Sequence, residues 1–279
     1  MVTSSYGSGP GSATPATPPT WLTPPTQPDP SWALLYRIGG ACAGAFVVMV
    51  VVGIVLAVAA PPAPLDGGAA TLAHIAAHRS LYVLQQQLWL VPGVFAAVVY
   101  LSLFPALQRL DRSLAALGTA IGGGAWALTL TIPTTTTGAP ALVYLSDQFA
   151  VADPGRQRAL ATAAETLIAQ NRTTSVVGPL TTVGLLLVSV VMLRGVFPRW
   201  VAWLGVVAGA LGITAEALRM VLEGFYVVYG VLLPVWMAAV GWHLYRLGRR
   251  VRGPADAPGA AGPAGAAGAT DDTVPLTKT

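Results

Sequence analysis

Six stretches of the chain contain no Asp, Glu, Lys or Arg, and they constrain its fold more than any other feature. They lie between Arg37 and Asp66, Arg79 and Arg109, Arg112 and Asp147, Arg172 and Arg194, Arg199 and Glu216, and Glu223 and Arg246. Their lengths are 28, 29, 34, 21, 16 and 22 residues. A helix needs roughly 20 apolar residues to cross a hydrocarbon layer about 30 Å thick. Lipid offers the backbone no hydrogen-bonding partner, so segments of this length have to be helical. The expected fold is all-α, a polytopic membrane protein with six transmembrane helices. Hydrophobic residues make up 54% of the chain and charged residues 9%, against about 25% charged in a soluble domain.

The spans are predicted at Leu34–Ala60, Leu81–Leu107, Leu114–Thr135, Thr174–Leu193, Trp200–Leu218 and Phe225–Leu247. Pro61-Pro62 stops the first and Pro92 kinks the second, because proline has no N–H for the helical ladder. The fifth is the short one, its charge-free run ended by Glu216 and Arg219. Two short helices are expected beside the spans, Ala69–Arg79 and Pro154–Arg172. The latter sets Leu160, Ala164, Leu167 and Ile168 on one side and Arg158, Glu165 and Asn171 on the other, which suits an interfacial or packed extramembrane helix. Residues 32–248 form the membrane domain. Residues 1–31, rich in Pro, Ser, Thr and Gly, and residues 249–279, rich in Gly, Ala and Pro, are expected to be disordered tails. The first tail lacks the basic start of a signal peptide.

Basic residues near helix ends set orientation. The side shared by the termini holds Arg37, Arg109, Arg112, Arg194, Arg199, Arg246, Arg249, Arg250, Arg252 and Lys278, and the other side Arg79, Arg156, Arg158, Arg172 and Arg219. The termini are expected in the cytoplasm, with Trp32, Tyr36, Trp200, Trp203, Trp242 and Tyr245 at the inner interface. The arginine bias, with heavy Ala, Gly and Pro usage, points to a high-GC bacterial genome and hence a plasma membrane. Arg246, Arg249, Arg250 and Arg252 directly follow the last apolar run, which suits anchoring on anionic lipid, at about 1 kcal/mol per charge, rather than nucleic acid. Cys42 is the single cysteine, so no intrachain disulfide is possible, and its place in an apolar run reads as packing.

Small residues four apart on the predicted spans, Gly40/Gly44, Gly118/Gly122 and Gly205/Gly209, with Gly212 a further turn along, mark close helix approach within the monomer. Several local phrases then resemble a known family: Tyr36-Arg37-Ile38-Gly39-Gly40, Leu110-Asp111-Arg112-Ser113-Leu114-Ala115, and Gly195-Val196-Phe197-Pro198-Arg199-Trp200 followed by Leu204-Gly205-Val206-Val207-Ala208-Gly209. This layout, over Trp32 to Arg219, is similar to a bacterial six-span family catalogued as domain of unknown function 4386. The resemblance implies a six-helix integral membrane protein and supplies no activity.

Candidate chemistry is sparse. Glu216, Arg219 and Glu223 stand three and four apart at the outer end of the fifth helix and suit local pairing, or a binding or gating role. Gln85, Gln86 and Gln87 open the second span, and at least one must face the bundle. With Thr134–Thr137 and Asn171 these residues could form an outward polar vestibule, or simply hold helices together. His74 and His78, at i and i+4, are weak metal candidates, since a complete zinc protease signature would need Glu where Ile75 stands. No catalytic residue is assigned, no cofactor is implied, and no P-loop occurs. The expected role is non-catalytic: interaction, sensing or membrane organisation. A small-molecule carrier using the vestibule is the alternative, and a metal-dependent membrane enzyme a third.

Overall fold

The computed structural model describes residues 29–60, 63–64, 66–131, 139–172, 177–218 and 223–251, with residues 171–172 and 223–226 described in the backbone alone. The described residues form ten α-helices: α1 Ala33–Ala59, α2 Gly68–Ala77, α3 Arg79–Leu90, α4 Pro92–Leu107, α5 Arg112–Thr131, α6 Ala141–Val151, α7 Pro154–Arg172, α8 Val177–Met192, α9 Arg199–Ala217 and α10 Glu223–Arg250. Both expected tails lie almost wholly outside the described residues.

Five helical segments are long and apolar enough to cross a membrane: Pro30–Ala59, Arg79–Leu107, Arg112–Thr131, Arg199–Ala217 and Val227–Arg250. The second comprises α3 and α4, which meet at Val91. That residue keeps helical dihedrals (φ −60°, ψ −34°), but Pro92 has no N–H to return to the preceding turn. Helix α9 reaches 19 residues because Arg199 and Glu216 are wound into its ends, and the described part of α8 has 16.

The long helices and α8 form a closed ring in which each packs on its neighbours in sequence. Thus α1 contacts α4, α4 contacts α5, α5 contacts α8, α8 contacts α9, α9 contacts α10, and α10 returns to α1. Tyr100 of α4 and Trp236 of α10, both 0% exposed, meet in the interior with ring centroids 6.4 Å apart. Glycines let the backbones close. A methyl on Gly184 would lie 2.5 Å from the Gly122 amide nitrogen, and one on Gly40 would lie 2.7 Å from the Gly241 carbonyl oxygen. Of the expected small-residue positions, Gly44 alone faces open space, where no neighbouring helix needs it.

The ring has two distinguishable ends. At the terminal end, Asp29 pairs with Arg109 at 3.3 Å and Asp111 with Arg194. This stitches the α4–α5 and α8–α9 turns to the start of α1. Asp111 also accepts from the Leu114 amide at 3.0 Å, capping α5. At the opposite end, α2, α6 and α7 pack on one another around a second apolar core of Leu72, Ile75, Leu142, Ala164 and Ile168, which Tyr82 of α3 joins. They form a cap.

The cap is where sequence expectations needed correction. Two short helices were expected and three are present among the described residues; α6 straddles the end of the 34-residue charge-free run. Arg79 begins α3 rather than ending the helix before it. Tyr36 is buried in the ring, whereas Trp32, Trp200, Trp203, Trp242 and Tyr245 are exposed on its surface.

Candidate functional site

The cap end collects most of the polar residues singled out in the sequence. Helix α3 turns about 100° per residue, so Gln85, Gln86 and Gln87 point three ways. Gln86 is buried at 1% exposure, Gln85 is half-buried and Gln87 exposed. One amide faces inward, as expected.

Glu216, one residue before the end of α9, is 4% exposed. Its carboxylate lies against the Cα of Gly178, in the described first turn of α8, where any side chain would collide with it. Glu216 is thus packed by α9 against its neighbour α8, and only glycine at 178 leaves room.

Arg219 lies outside the described residues, as do Thr134–Thr137, and Glu223 is described only as the first backbone position of α10. The two halves of the expected vestibule sit on different helices: α3 packs on α1, α2 and α4, and α9 on α8 and α10. Two cavities stand out, one on the cap and one at the terminal end, and neither is lined by Gln85–Gln87 or Glu216.

His74 and His78 come together differently from what the i, i+4 spacing implied. Helix α2 ends at Ala77, and His78 leaves helical geometry at φ −124°, ψ 34°. The rings consequently stack, with centroids 4.5 Å apart and planes at 29°. The His74 carbonyl accepts the His78 backbone N–H at 3.0 Å, and the His78 Nδ1 lies 3.2 Å from the same oxygen. Burial, and then the neighbouring His78, lower the pKa of His74 below its usual value. Among the described residues, no three His, Cys, Asp or Glu side chains converge in a way that could hold a metal ion.

Specific bonds fix the cap on the ring. Arg79 donates two hydrogen bonds to Asp147, at 3.1 and 3.0 Å. The Gly68 amide donates to Glu165 Oε1 at 3.1 Å, so α7 caps α2. The Ser146 hydroxyl donates to the Leu72 carbonyl at 2.7 Å, and the Tyr82 hydroxyl to Ala139 at 3.3 Å. Asp153 caps α7 through the Gly155 and Arg156 amides at 3.0 and 3.1 Å. Sequence reasoning missed Asp147, Ser146 and Glu165 as cap residues. The charge that ends the longest apolar run, Asp147, was the available signal.

The family model described as "Domain of unknown function (DUF4386)" matches residues 42–249, a longer stretch than the local phrases suggested. No curated protein and no solved structure matches the chain.

Proposed function

The chain belongs to the DUF4386 family, and from that premise we propose a six-span, non-catalytic protein of the bacterial plasma membrane. Its termini are cytoplasmic, and it holds a folded three-helix cap at the outer face for interaction or sensing. The observation that carries this is the cap's own core: Leu72, Ile75 and Leu142 are each 0% exposed, in a cluster separate from that of the ring. A loop that only joins spans has no need of one.

Parity supports the sixth crossing. Helix α10 lies antiparallel to α1, with Gly241 against Ala43 and Gly248 against Ala33, which needs an even number of passes. Helix α8 runs from near Glu216 at the cap end to the Arg194–Asp111 pair at the terminal end. Its 16 residues rise about 24 Å at 1.5 Å each. The uneven distribution of arginines supports the orientation.

The carrier alternative draws on buried Gln86 and Glu216. Against it, Tyr100 and Trp236 fill the middle of the ring.

Two measurements test the proposal. In a Cys42→Ser background, single cysteines at exposed Thr162 (cap) and Ser113 (terminal end) are treated with a membrane-impermeant maleimide in intact cells. Labelling of position 162 alone is expected, and labelling of position 113 instead overturns the orientation. Reconstituted vesicles are then screened by stopped-flow light scattering with sugars, amino acids and small ions. Flux above empty vesicles overturns the non-conduit reading.

A further inference from the structure

We propose that the terminal end of the protein holds a built binding pocket for a phosphate-bearing anion, formed by one face of α10 and the α8–α9 turn. His243, Arg246, Leu247 and Arg250 are spaced three, four and seven apart and share a helix face. The turn Gly195–Pro198 folds over that face. Gly195 adopts φ 138°, a conformation that favours glycine, and there the chain reverses after α8. Together these residues enclose a cavity of about 430 Å³.

The chemistry inside it is one-sided. Two guanidinium groups and an imidazole line one cavity. The carboxylates described at this end, Asp29 and Asp111, are paired with Arg109 and Arg194. Among the described residues, no carboxylate lines the cavity or pairs with Arg246 or Arg250. Convergent like charges favour an anion, and the planar forks of Arg match phosphate oxygens bidentately.

The groups are also held in place. Arg246 lies over the Trp242 ring, 5.2 Å from its centroid. The His243 ring is packed edge-on by Phe197 at 6.4 Å and Trp200 at 6.1 Å. Trp200 and Trp242, 58% and 59% exposed, put aromatic rings on the surface beside the cavity, and such rings settle at headgroup depth. The phosphate of an anionic lipid is the ligand this depth favours, and a free phosphate compound shares the chemistry. The assignment is independent of which side the termini face.

The test uses the full chain purified in a neutral detergent, with lipid retention read by native mass spectrometry and affinity by calorimetry. The probes are short-chain phosphatidylglycerol, short-chain phosphatidylcholine and inorganic phosphate. Saturable binding of phosphatidylglycerol but not phosphatidylcholine is expected. R246Q and R250Q should each weaken it about tenfold, the loss of one charge-assisted contact.

R249Q removes the same charge one residue away from the cavity lining; exposed to solvent in a neutral detergent, with no anionic surface to attract it, it should change affinity less than about twofold. Equal losses for R249Q and R250Q would mean diffuse attraction and overturn the pocket, as would the absence of saturable binding for every anion. Saturable binding of inorganic phosphate alone keeps the pocket and reassigns its source to a soluble phosphate compound. Unchanged thermal unfolding of the variants excludes misfolding as the cause.

Discussion

The closest backbone approach in the ring gives a sharp test of how the spans are held together. Gly184 of α8 faces Gly122 of α5, and a methyl at 184 would lie 2.5 Å from the Gly122 nitrogen, nearer still to its Cα. Ordinary carbon contacts begin at 3.4 Å, so Gly184→Ala must open this crossing by about 1 Å; backbone on both sides leaves nothing flexible to yield. A gap of 0.5–1 Å forfeits roughly a quarter to a half of each dispersion contact it touches. Leu185 and Val188, both 0% exposed, lie beside the crossing. Overpacking of this kind costs about 1–3 kcal/mol. Alanine returns about 0.5–1 kcal/mol of helix propensity, which leaves a net loss of up to about 2.5 kcal/mol. Gly124→Ala is the internal control, two residues along α5, where an added methyl meets no atom within 4 Å. It should be neutral or gain up to about 1 kcal/mol. The assay is reversible unfolding in mixed micelles of rising dodecyl sulfate fraction, followed by tryptophan fluorescence. Equal midpoints for the two variants would refute the claim that α5 and α8 close on glycine.

Other outcomes follow from the same structure. Gly68→Ala places a methyl against the Ala161 carbonyl of α7, so hydrogen exchange should quicken across α2 while the spans stay protected; uniform exchange would mean the cap is not a separate unit. Glu216→Ala removes the buried carboxylate packed against Gly178 of α8 and should cost about 1–3 kcal/mol, with Glu216→Gln, which keeps the shape and polar atoms, losing under about 1 kcal/mol. The reverse order in micelle unfolding would contradict its role in holding α8. Backbone amides hold the Asp153 carboxyl below its ordinary value, as Leu114 and then Arg194 do for Asp111. Folding therefore favours their ionised forms. That contribution is complete above the ordinary carboxylate value of about 4 and is lost as pH falls through the lower folded values. Exchange at the first turn of α7 should rise in acid, and Asp153→Asn, which still caps but does not titrate, should flatten that rise. An unchanged acid profile in Asp153→Asn would sink the assignment.

How much was legible beforehand varies by residue. The start of Pro154–Arg172 was placed correctly because Asp153 and the proline after it are local start signals. Helix α6 was not seen, because its first half, up to Ser146, continues the same charge-free run as α5, and only Asp147 marks a break in it. His74 and His78 were read as sharing a helix face, but the helix ends between them. Gln86 was recognisable only as one of three, since its inward direction depends on where α1 and α4 lie. The terminal-end cavity was also hidden. His243, Arg246 and Arg250 have helical spacing in plain view, but the opposing wall comes from Gly195–Pro198, about fifty residues earlier in the sequence.

The sequence by itself determined that this is an all-α polytopic membrane protein, and it located the apolar runs and the arginines that flank them. Those properties follow from segment length and from the need to satisfy every backbone group within its own helix, both of which are local. Tertiary structure alone decided that α2, α6 and α7 share a core, that Glu216 turns onto α8, and that Tyr36 is interior while Trp200 and Trp242 face out. A helix apolar on all sides has no periodic stripe to announce its buried face. Which side packs is set by glycine approach and side-chain fit to helices distant in the chain.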